Sequence, residues 1–405
     1  MNATLTPLIA QMRFYPQLIK KTVPIALAVM LSLVATQTVF SQPLNLPQEK
    51  TIGELELVHP FEKMMPTGIT LSQSQRQFVN FPRWGDDVPF TVAEIRDGEL
   101  VPYPNLAINQ ATPEKPADSF LSVQSVVVDP KNRLWVLDTG RIEFSPSKFG
   151  GPKLVGIDLN RNEIFQKILL PRDVALETTY LNDVRFNLQR GEAGMAFITD
   201  SSSSGSNGII VVDLATGESW RRLHNHASTK PEKKFLPIVE GQPLLNRPAT
   251  GDPNPFAVGA DGIAMGGEGK RLYYCPLSSR TLYSVSIDAL VNRNLSDEAV
   301  ADTVINHGGK GASDGLESDD QNRIYITDYE NNAIHRRSSD GQINTLVHDP
   351  RILWPDTLAL SNDGYLYFTA NQLHRQPNFH QGKDLREKPY SLFRIPVDAQ
   401  PVQLR

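Results

Sequence analysis

Residues 314–328 read DGLESDDQNRIYITD, and this stretch decides the fold. It contains the polar pair Asp314-Gly315, a short alternating strand, a polar turn, and a second strand whose aromatic residue, Tyr325, lies 11 residues after Asp314. Short apolar runs that alternate with polar residues and end in Gly, Asn or Asp are typical of β-strands joined by turns. The stretch therefore predicts a β-hairpin, and the rest of the chain repeats it.

The same compound pattern occurs six times beyond residue 50. Each copy begins with a polar or small residue that we call the slot, and the slots are Thr67, Gln124, Asn182, Asp261, Asp314 and Asp356. The distance from the slot to the strand aromatic is 11 residues in four copies, 12 in one and 15 in another. Third strands follow in every copy and fourth strands in several, and repeats with periods of about 50 residues indicate propellers. We expect an all-β fold, a six-bladed β-propeller with four-stranded antiparallel blades around a central channel.

Two other architectures would give a similar alternation of apolar residues. A β-sandwich or a pair of unrelated β-domains would also show short strands between turns, but neither explains the nearly fixed spacing from slot to aromatic. A propeller also has to close its ring, because an open ring leaves unpaired strand edges. Residues 54–58 or residues 401–404 could supply the closing strand, and the sequence does not decide between them.

The first forty residues predict a secretory signal. Arg13, Lys20 and Lys21 precede an apolar run from Val23 to Ala35, and small or tolerated residues then lead to a cleavage site near Gln42. A membrane anchor is the alternative, but the run is shorter than the roughly 20 residues that a spanning helix needs. We divide the chain into a signal peptide (1–41), an N-terminal linker (42–51) and one propeller domain (52–405). The expected location is secreted or periplasmic, with no membrane association after cleavage.

Composition narrows the classes of function. The formal net charge of -5 gives no electrostatic basis for a nucleic-acid partner. One cysteine, Cys275, excludes an intramolecular disulfide, and its apolar neighbours favour a buried structural thiol over a nucleophile. Motifs of serine hydrolases, P-loop proteins, dinucleotide-binding enzymes and zincins do not occur in the chain.

Several stretches resemble the major royal jelly protein/Yellow family. They are Phe81-Pro-Arg-Trp84, Val123-Gln-Ser-Val-Val-Val-Asp129, Arg133-Leu-Trp-Val-Leu-Asp-Thr-Gly140, Tyr180-Leu-Asn-Asp183, Leu272-Tyr-Tyr-Cys-Pro-Leu-Ser-Ser279 and Asp328-Tyr-Glu-Asn-Asn332. The resemblance runs from about Phe78 to Val397. It implies a secreted six-bladed propeller, from a family with pigmentation proteins, jelly storage proteins and salivary binders of biogenic amines. The single cysteine departs from many eukaryotic relatives and suggests a bacterial-type member.

The slots are the main candidates for a functional site. If each inner strand starts at its slot on one face, then the slots of all blades converge on one rim of the channel. Three carboxylates at close quarters repel each other unless a cation, a shared proton or hydrogen-bond donors offset their charge. The expected ligand-binding residues are Gln124, Asn182, Asp261, Asp314 and Asp356. The other reading is that each slot side chain only caps nearby backbone N–H groups, with the following Gly supporting a tight turn.

Loops next to the slots contain two further candidate ligand-binding residues, both cationic, and a segment that could cover the rim. Arg141 and Arg280 follow the second strands of their blades, so they should reach the same rim as ligand-binding residues. Residues 231–257, which contain six prolines and enter the Asp261 slot, predict either a lid-like loop over the rim or a disordered insertion.

Three functions remain open. The first is a binder of a small amine or aromatic compound, in which the acidic slots pair with an ammonium group. The second is a calcium-dependent lactonase, because the regucalcin/gluconolactonase propellers, which the chain resembles more distantly, hold a divalent metal on inner-strand Glu, Asn and Asp. Asn182, Asp261 and Asp314 would hold Ca²⁺ here, since calcium prefers oxygen ligands, although Gln124 replaces the glutamate of those enzymes. The third is a dopachrome-type isomerase, with a rim carboxylate or histidine moving a proton.

Overall fold

A computed structural model describes residues 50–405. The predicted signal peptide, and all of the predicted linker before Lys50, lie outside the described residues. Within residues 50–405 no helix is long and apolar enough to cross a bilayer.

Strands dominate the described chain. In chain order they are β1 (Glu56–Phe61), β2 (Gly68–Leu71), β3 (Gln77–Asn80), β4 (Val92–Arg96), β5 (Glu99–Pro102), β6 (Val123–Val128), β7 (Arg133–Asp138), β8 (Lys153–Asp158), β9 (Glu163–Leu169), β10 (Leu181–Asn187), β11 (Met195–Asp200), β12 (Gly208–Asp213), β13 (Ser219–Arg222), β14 (Ile238–Val239), β15 (Gln242–Pro243), β16 (Leu245–Asn246), β17 (Asn254–Pro255), β18 (Ala260–Met265), β19 (Arg271–Pro276), β20 (Thr281–Ser286), β21 (Ile305–Gly309), β22 (Leu316–Ser318), β23 (Ile324–Asp328), β24 (Ala333–Arg337), β25 (Ile343–His348), β26 (Pro355–Leu360), β27 (Tyr365–Ala370) and β28 (Tyr390–Pro396).

Six four-stranded antiparallel sheets form the blades of a propeller. Blades 1 to 5 are β2–β5, β6–β9, β10–β13, β18–β21 and β22–β25, and blade 6 has the order β1-β28-β27-β26. The inner strands contact each other in sequence, and β2 contacts β26, which completes the ring. The predicted six-bladed β-propeller is therefore confirmed.

The N-terminal strand closes the ring. β1 pairs with β28 in antiparallel register, with Glu56 opposite Arg394 and Phe61 opposite Tyr390. The C-terminal candidate instead passes over blade 5, where Pro401 bridges to Asp319. A proline lacks the N–H that a ladder needs, so this tail makes only an isolated bridge.

The repeated aromatic residues fill the spaces between blades. Phe78, Trp135, Phe197 and Tyr325 are fully buried on the second strands of their blades. Trp135 stacks on Phe186 of the next blade, with ring centroids 5.3 Å apart. In these blades the aromatic residue recurs on the second strand because one large side chain packs there against the neighbouring blade.

Helices are short and lie in connections. They are α1 (Leu106–Asn109), α2 (Ile287–Val291) and α3 (Asp297–Ala301). Their caps follow the usual chemistry, because the side chains of Asn105, Ser286 and Ser296 accept hydrogen bonds from N–H groups of the first turn.

Candidate functional site

The inner strands are irregular at most of the slots. In blades 2, 3, 4 and 6 the pairing of the inner strand shifts register at the slot, at Gln124, Asn182, Asp261 and Asp356. A β-bulge of this kind re-aims side chains and is common beside functional sites. In blade 5 the slot residue Asp314 precedes its strand.

Two glycines next to slots allow the inner strands to approach each other closely. A Cβ on Gly262 would come closer than 3.0 Å to the carbonyl oxygen of Asp314, and a Cβ on Gly315 would come closer than 3.0 Å to that of Asp356. Neither glycine has a positive φ. The Asp-Gly pattern therefore reflects the crowding of strands at the channel axis, and not the tight turn that the sequence suggested.

A cavity of about 720 Å³ opens at this rim. The predicted residues that line it are Gln124, Arg141, Asn182, Asp261, Asp314 and Asp356. Thr67 is not among the lining residues, and its hydroxyl donates to the carbonyl of Gln124. Arg280 is not among them either, because it pairs with Glu330 at 2.7 Å. The structure thus brings together five slots and one of the two arginines.

The three aspartates of the cavity floor are buried and held by neutral donors. Asn182 Nδ2 donates to Asp261 Oδ1. Trp354 Nε1 donates to Asp314 Oδ2 at 2.7 Å, and Asn371 Nδ2 donates to Asp356 Oδ2 at 2.7 Å. Within the described residues none of the three carboxylates forms a salt bridge.

Burial makes these carboxyl groups hard to ionise. Desolvation raises the pKa of Asp314 to about 6. Burial also raises the pKa of Asp261 and of Asp356 well above the usual range, and the charge of Asp314 adds to both shifts. Lys310 opposes the effect on Asp314 through its charge, but its Nζ donates to the carbonyl of Gly311. A hydrogen bond between the side chains of Asp261 and Asp314 also contributes to their pKa shifts, so these two carboxyl groups hold a proton between them. A cation bound at the floor would favour the ionised forms of these groups.

One wall of the cavity is aromatic. Phe144 lies against Trp84 and Tyr180, with ring centroids 5.5 Å and 5.4 Å away. Trp84 Nε1 donates to the hydroxyl of Tyr180, which donates in turn to Gln124 Oε1, both at 2.7 Å. Gln124 thus connects this aromatic wall to the polar floor.

Residues 231–257 form part of the cavity wall. They contain two hairpins, β14–β15 and β16–β17. Arg247 exchanges backbone hydrogen bonds with Asn378 and Gln381, both at 2.7 Å. Phe256 of this segment contacts Trp354 and Phe379, so the segment packs on the same aromatic cluster that bonds Asp314.

Arg141 lies at the cavity, but its guanidinium donates its hydrogen bonds to backbone carbonyls. Its Nε donates to Ser145 O at 2.7 Å, its Nη2 to Phe144 O at 2.6 Å, and its Nη1 to Thr178 O and Thr179 O at 2.8 Å and 3.1 Å. Burial lowers the pKa of this guanidinium. Its geometry is that of a residue that shapes the wall.

A buried ion pair lies among the inner strands beside the floor. Asp183 accepts from Arg185 Nη1 at 2.8 Å and from the hydroxyl of Ser125 at 2.6 Å. Arg185 reaches from blade 3 to the carbonyl of Leu316 in blade 5 at 2.8 Å. Asp183 therefore has a cationic partner, unlike the three aspartates of the floor.

The floor is a poor match for calcium. Asp261, Asp314 and Asp356 each already accept a hydrogen bond from an amide or indole N–H, whereas calcium needs six to eight free oxygens. Among residues 50–405 no group of three or more His, Cys, Asp or Glu side chains is arranged to hold a metal ion. Calcium at Asn182, Asp261 and Asp314 stays a prediction that this geometry does not favour.

The sequence missed most of the aromatic residues of the site. Trp84 and Tyr180 lie in stretches that carry the family resemblance, but nothing in their spacing indicates a place at the cavity. Phe144, Trp354 and Phe379 had no such signal, because loop residues that meet only through the ring of blades share no spacing.

Comparisons with solved structures find other proteins with a similar fold. A calcium-binding protein, regucalcin, from Agrobacterium tumefaciens has a TM-score of 0.52 at 12% identity, over 86% of this chain and 97% of that one. A luciferin-regenerating enzyme has a TM-score of 0.53 at 10% identity, over 87% and 99% of the two chains. At such identities the likeness concerns the fold alone.

Sequence comparisons identify the family. Major royal jelly protein 7 of Apis mellifera is 26% identical over 56% of this chain and 49% of its own length. Yellow-related salivary protein SP04 of Phlebotomus argentipes is 27% identical over 56% of both chains. Protein yellow of Drosophila madeirensis is 25% identical over 59% of this chain and 42% of its own. The matches thus cover about half the length of these relatives. The sequence profile of the major royal jelly protein family matches residues 121–395, and this chain therefore belongs to that family.

Proposed function

We propose that this chain is a secreted protein that binds a small organic cation, an amine with an aromatic or apolar body, in the rim cavity. The observation that carries the proposal is the trio of buried aspartates that have only neutral hydrogen-bond donors. A carboxylate buried without a cation is costly, and an ammonium group on the floor would offset that cost. Secretion is supported by the predicted signal peptide and by relatives named as salivary proteins.

The walls support an apolar body for the ligand. Aromatic and aliphatic side chains line the cavity above the floor, including Trp84, Phe144, Phe256, Leu277 and Phe379. Cavities of a few hundred Å³ or more, with apolar walls and a few convergent polar groups, are the usual form of small-molecule sites. An aromatic face also attracts a cation directly.

Calorimetry with a matched pair of probes tests the proposal. Phenethylamine and 2-phenylethanol share a ring and a linker, but only the amine is cationic at neutral pH. We expect heat of binding for the amine and at least about tenfold weaker binding for the alcohol, which corresponds to about 1.4 kcal/mol. Equal binding of both probes, or no binding of either, would refute a cation site.

Two variants locate the binding. Asp356→Asn removes a carboxyl group that a bound ammonium group would hold in its ionised form, and it should weaken phenethylamine binding by about tenfold or more, in line with the loss of a charge-assisted hydrogen bond. Asp349→Asn is the control, because Asp349 is similarly buried but pairs with Arg351 away from the cavity. Equal effects of the two variants would place the ligand elsewhere.

The two enzymatic alternatives have direct assays. A calcium-dependent lactonase would release acid from simple lactones in a pH-stat and would melt at a higher temperature in calcium than in chelator. A dopachrome-type isomerase would remove dopachrome absorbance faster than the uncatalysed reaction.

A further inference from the structure

The loop after β7 holds an aromatic side chain at the cavity in an unfavourable backbone conformation. Glu143 and Phe144 have φ values of +48° and +57°. Side chains with a Cβ rarely adopt this left-handed region. Burial does not account for it, because about half of the surface of Phe144 is exposed (52%). Strain of this kind persists only where other contacts enforce it, and it concentrates at functional sites.

Arg141 supplies those contacts. Its guanidinium is buried, and it joins two parts of the chain, the carbonyls of Phe144 and Ser145 on one side and those of Thr178 and Thr179 on the other. The carbonyls of a loop would otherwise face water. Arg141 therefore helps to determine where the Phe144 backbone lies, together with the Glu143 N–H, which donates to the Arg83 carbonyl at 2.9 Å.

The ring of Phe144 continues an aromatic surface that is fixed to the floor. It lies at 31° to the ring of Trp84 and at 36° to that of Tyr180. Those two rings are tied to each other and to Gln124 by hydrogen bonds, as described above. Phe144 has no polar atom in its side chain and lines the cavity, so its free surface can be used by a ligand ring.

We infer that Phe144 makes the cavity select ligands with a flat ring, and that Arg141 is the positioning residue that holds it there. The inference rests on the proposed function and deepens it, because it assigns the preference for a flat ring over a saturated body of equal charge to one side chain of the cavity wall. Offset or edge-on contact between rings adds attraction beyond the burial of apolar area.

The test uses two amines that differ only in the ring. Phenethylamine and 2-cyclohexylethylamine carry the same ammonium group on the same linker. We expect the unmodified protein to prefer the aromatic amine in calorimetry. Phe144→Leu should weaken phenethylamine binding by about threefold to tenfold and change 2-cyclohexylethylamine binding by less than about twofold. Phe144→Tyr should keep the preference.

Phe149→Leu is the matched control. Phe149 has the same exposure as Phe144, 52%, and does not line the cavity. This variant should bind both amines as the unmodified protein does. Arg141→Lys should reduce the preference for the ring while leaving the affinity for the saturated amine within about twofold, because lysine cannot reach four carbonyls in the same geometry.

The melting temperature of a Phe144 variant shows whether this residue serves ligand selection or only the stability of the fold. Phe144→Gly relieves the left-handed strain, so its melting temperature should stay the same or rise while the preference for the ring disappears. A lower melting temperature with equal losses for both amines would overturn the inference.

The remaining outcomes are also decisive. Equal binding of the two amines by the unmodified protein, or equal losses in Phe144→Leu, would overturn the inference and leave the proposed cation site standing. No heat with either amine would overturn the proposed function and the inference with it.

Discussion

Gly315 lies where the inner strands of blades 5 and 6 come closest. A methyl group at this position would overlap the backbone carbonyl of Asp356, which cannot move without displacing its own strand. We expect Gly315→Ala to lower the free energy of unfolding by about 1–3 kcal/mol, as overpacking does in rigid cores. Urea unfolding followed by fluorescence measures the change.

Gly309→Ala is the control for this prediction. Gly309 lies in β21, its φ is not positive, and a Cβ there meets only the carbonyl of Arg280 at 3.9 Å. Alanine should therefore be tolerated at 309. If Gly315→Ala were equally harmless, the inner strands would not converge as closely as described.

Asp314 should make stability depend on pH. The free side chain ionises near 3.8, whereas the folded one ionises at about 6 because it is buried. Between these values the unfolded chain loses its proton first, so stability falls as pH rises from about 4 and the loss is complete above about 6. Asparagine cannot ionise and still accepts the Trp354 hydrogen bond. We expect Asp314→Asn to gain up to about 3 kcal/mol relative to the unmodified protein between pH 4 and pH 8.

Asp349→Asn should show the opposite sign in the same measurement. The hydrogen bond from Arg351 holds the pKa of Asp349 below its ordinary value. Its contribution to stability is present above the unfolded pKa and is lost as pH falls through the folded pKa. Unfolding free energies from about pH 2 to pH 8 compare the two variants, because the contribution of Asp349 changes only below its unfolded pKa. Parallel curves for Asp314→Asn and the unmodified protein would show that the pKa of Asp314 is the same in the folded and unfolded states.

At the level of residues, the sequence located the floor of the cavity better than its walls. Slots repeat at fixed spacing, so Asp261, Asp314 and Asp356 were predictable as one group. Phe144 and Trp354 sit in loops of different lengths, and only the closed ring brings them to one place. The position of Arg280 after a second strand predicts that it reaches the rim, but it pairs with Glu330 and does not line the cavity.

Among the elements, the hairpin β14–β15 depends on one side chain at its turn. Glu240 accepts hydrogen bonds from His374 Nε2 and from Arg375 Nε, both at 2.9 Å. A two-stranded hairpin is marginally stable by itself. We expect Glu240→Ala to speed hydrogen exchange of the amides in residues 238–243 several-fold, while the melting temperature of the propeller changes little, since a partly exposed ion pair contributes about 1 kcal/mol or less.

Glu218→Ala provides the comparison. It also removes a salt bridge, to Arg293, but that pair is exposed and distant in the chain from the hairpin. Exchange in residues 238–243 should not change in this variant. Unchanged exchange in Glu240→Ala as well would show that other contacts, such as the bond from Ile238 N to Glu330 at 2.7 Å, suffice to hold the hairpin.

Strand prediction succeeded where alternation was clear and failed where it was short. The alternating runs Arg133–Asp138, Met195–Asp200, Ala333–Arg337 and Ile343–His348 predict strands from the sequence alone, and the structure has them, with the same bounds, as β7, β11, β24 and β25. β5 was not predicted, because Glu99-Leu-Val-Pro102 offers only two apolar residues before a proline. Pairing with β4 supplies what local propensity lacks.

For the whole molecule, closure is the feature that the sequence left undecided. Both candidate segments alternate apolar and polar residues, and the choice depends on where the termini lie after six blades have formed. The N-terminal β1 reaches the outer edge of blade 6. The C-terminal tail instead bridges to Asp319 and accepts backbone hydrogen bonds from Asp320 N–H and Leu188 N–H. Closure from β1 joins the first described strand to the last.

A disulfide across this closure should stabilise the protein. Glu56 and Arg394 are partners in the β1–β28 register and form a salt bridge at 2.7 Å. The chain has one native cysteine, and Cys275 is buried, so two new thiols would pair with each other. Cross-linking residues that are so far apart in sequence restricts the unfolded chain, and the gain for such long loops is roughly 2–5 kcal/mol.

We therefore expect the double variant Glu56→Cys/Arg394→Cys to unfold at higher urea when oxidised than when reduced. Each redox state lacks the same salt bridge, so the difference between them measures closure alone. The two single variants are the controls, and their midpoints should not respond to reductant. Since β1 is the only strand of blade 6 that comes from the other end of the chain, equal midpoints in the oxidised and reduced double variant would mean that β1 does not hold the ring closed in solution.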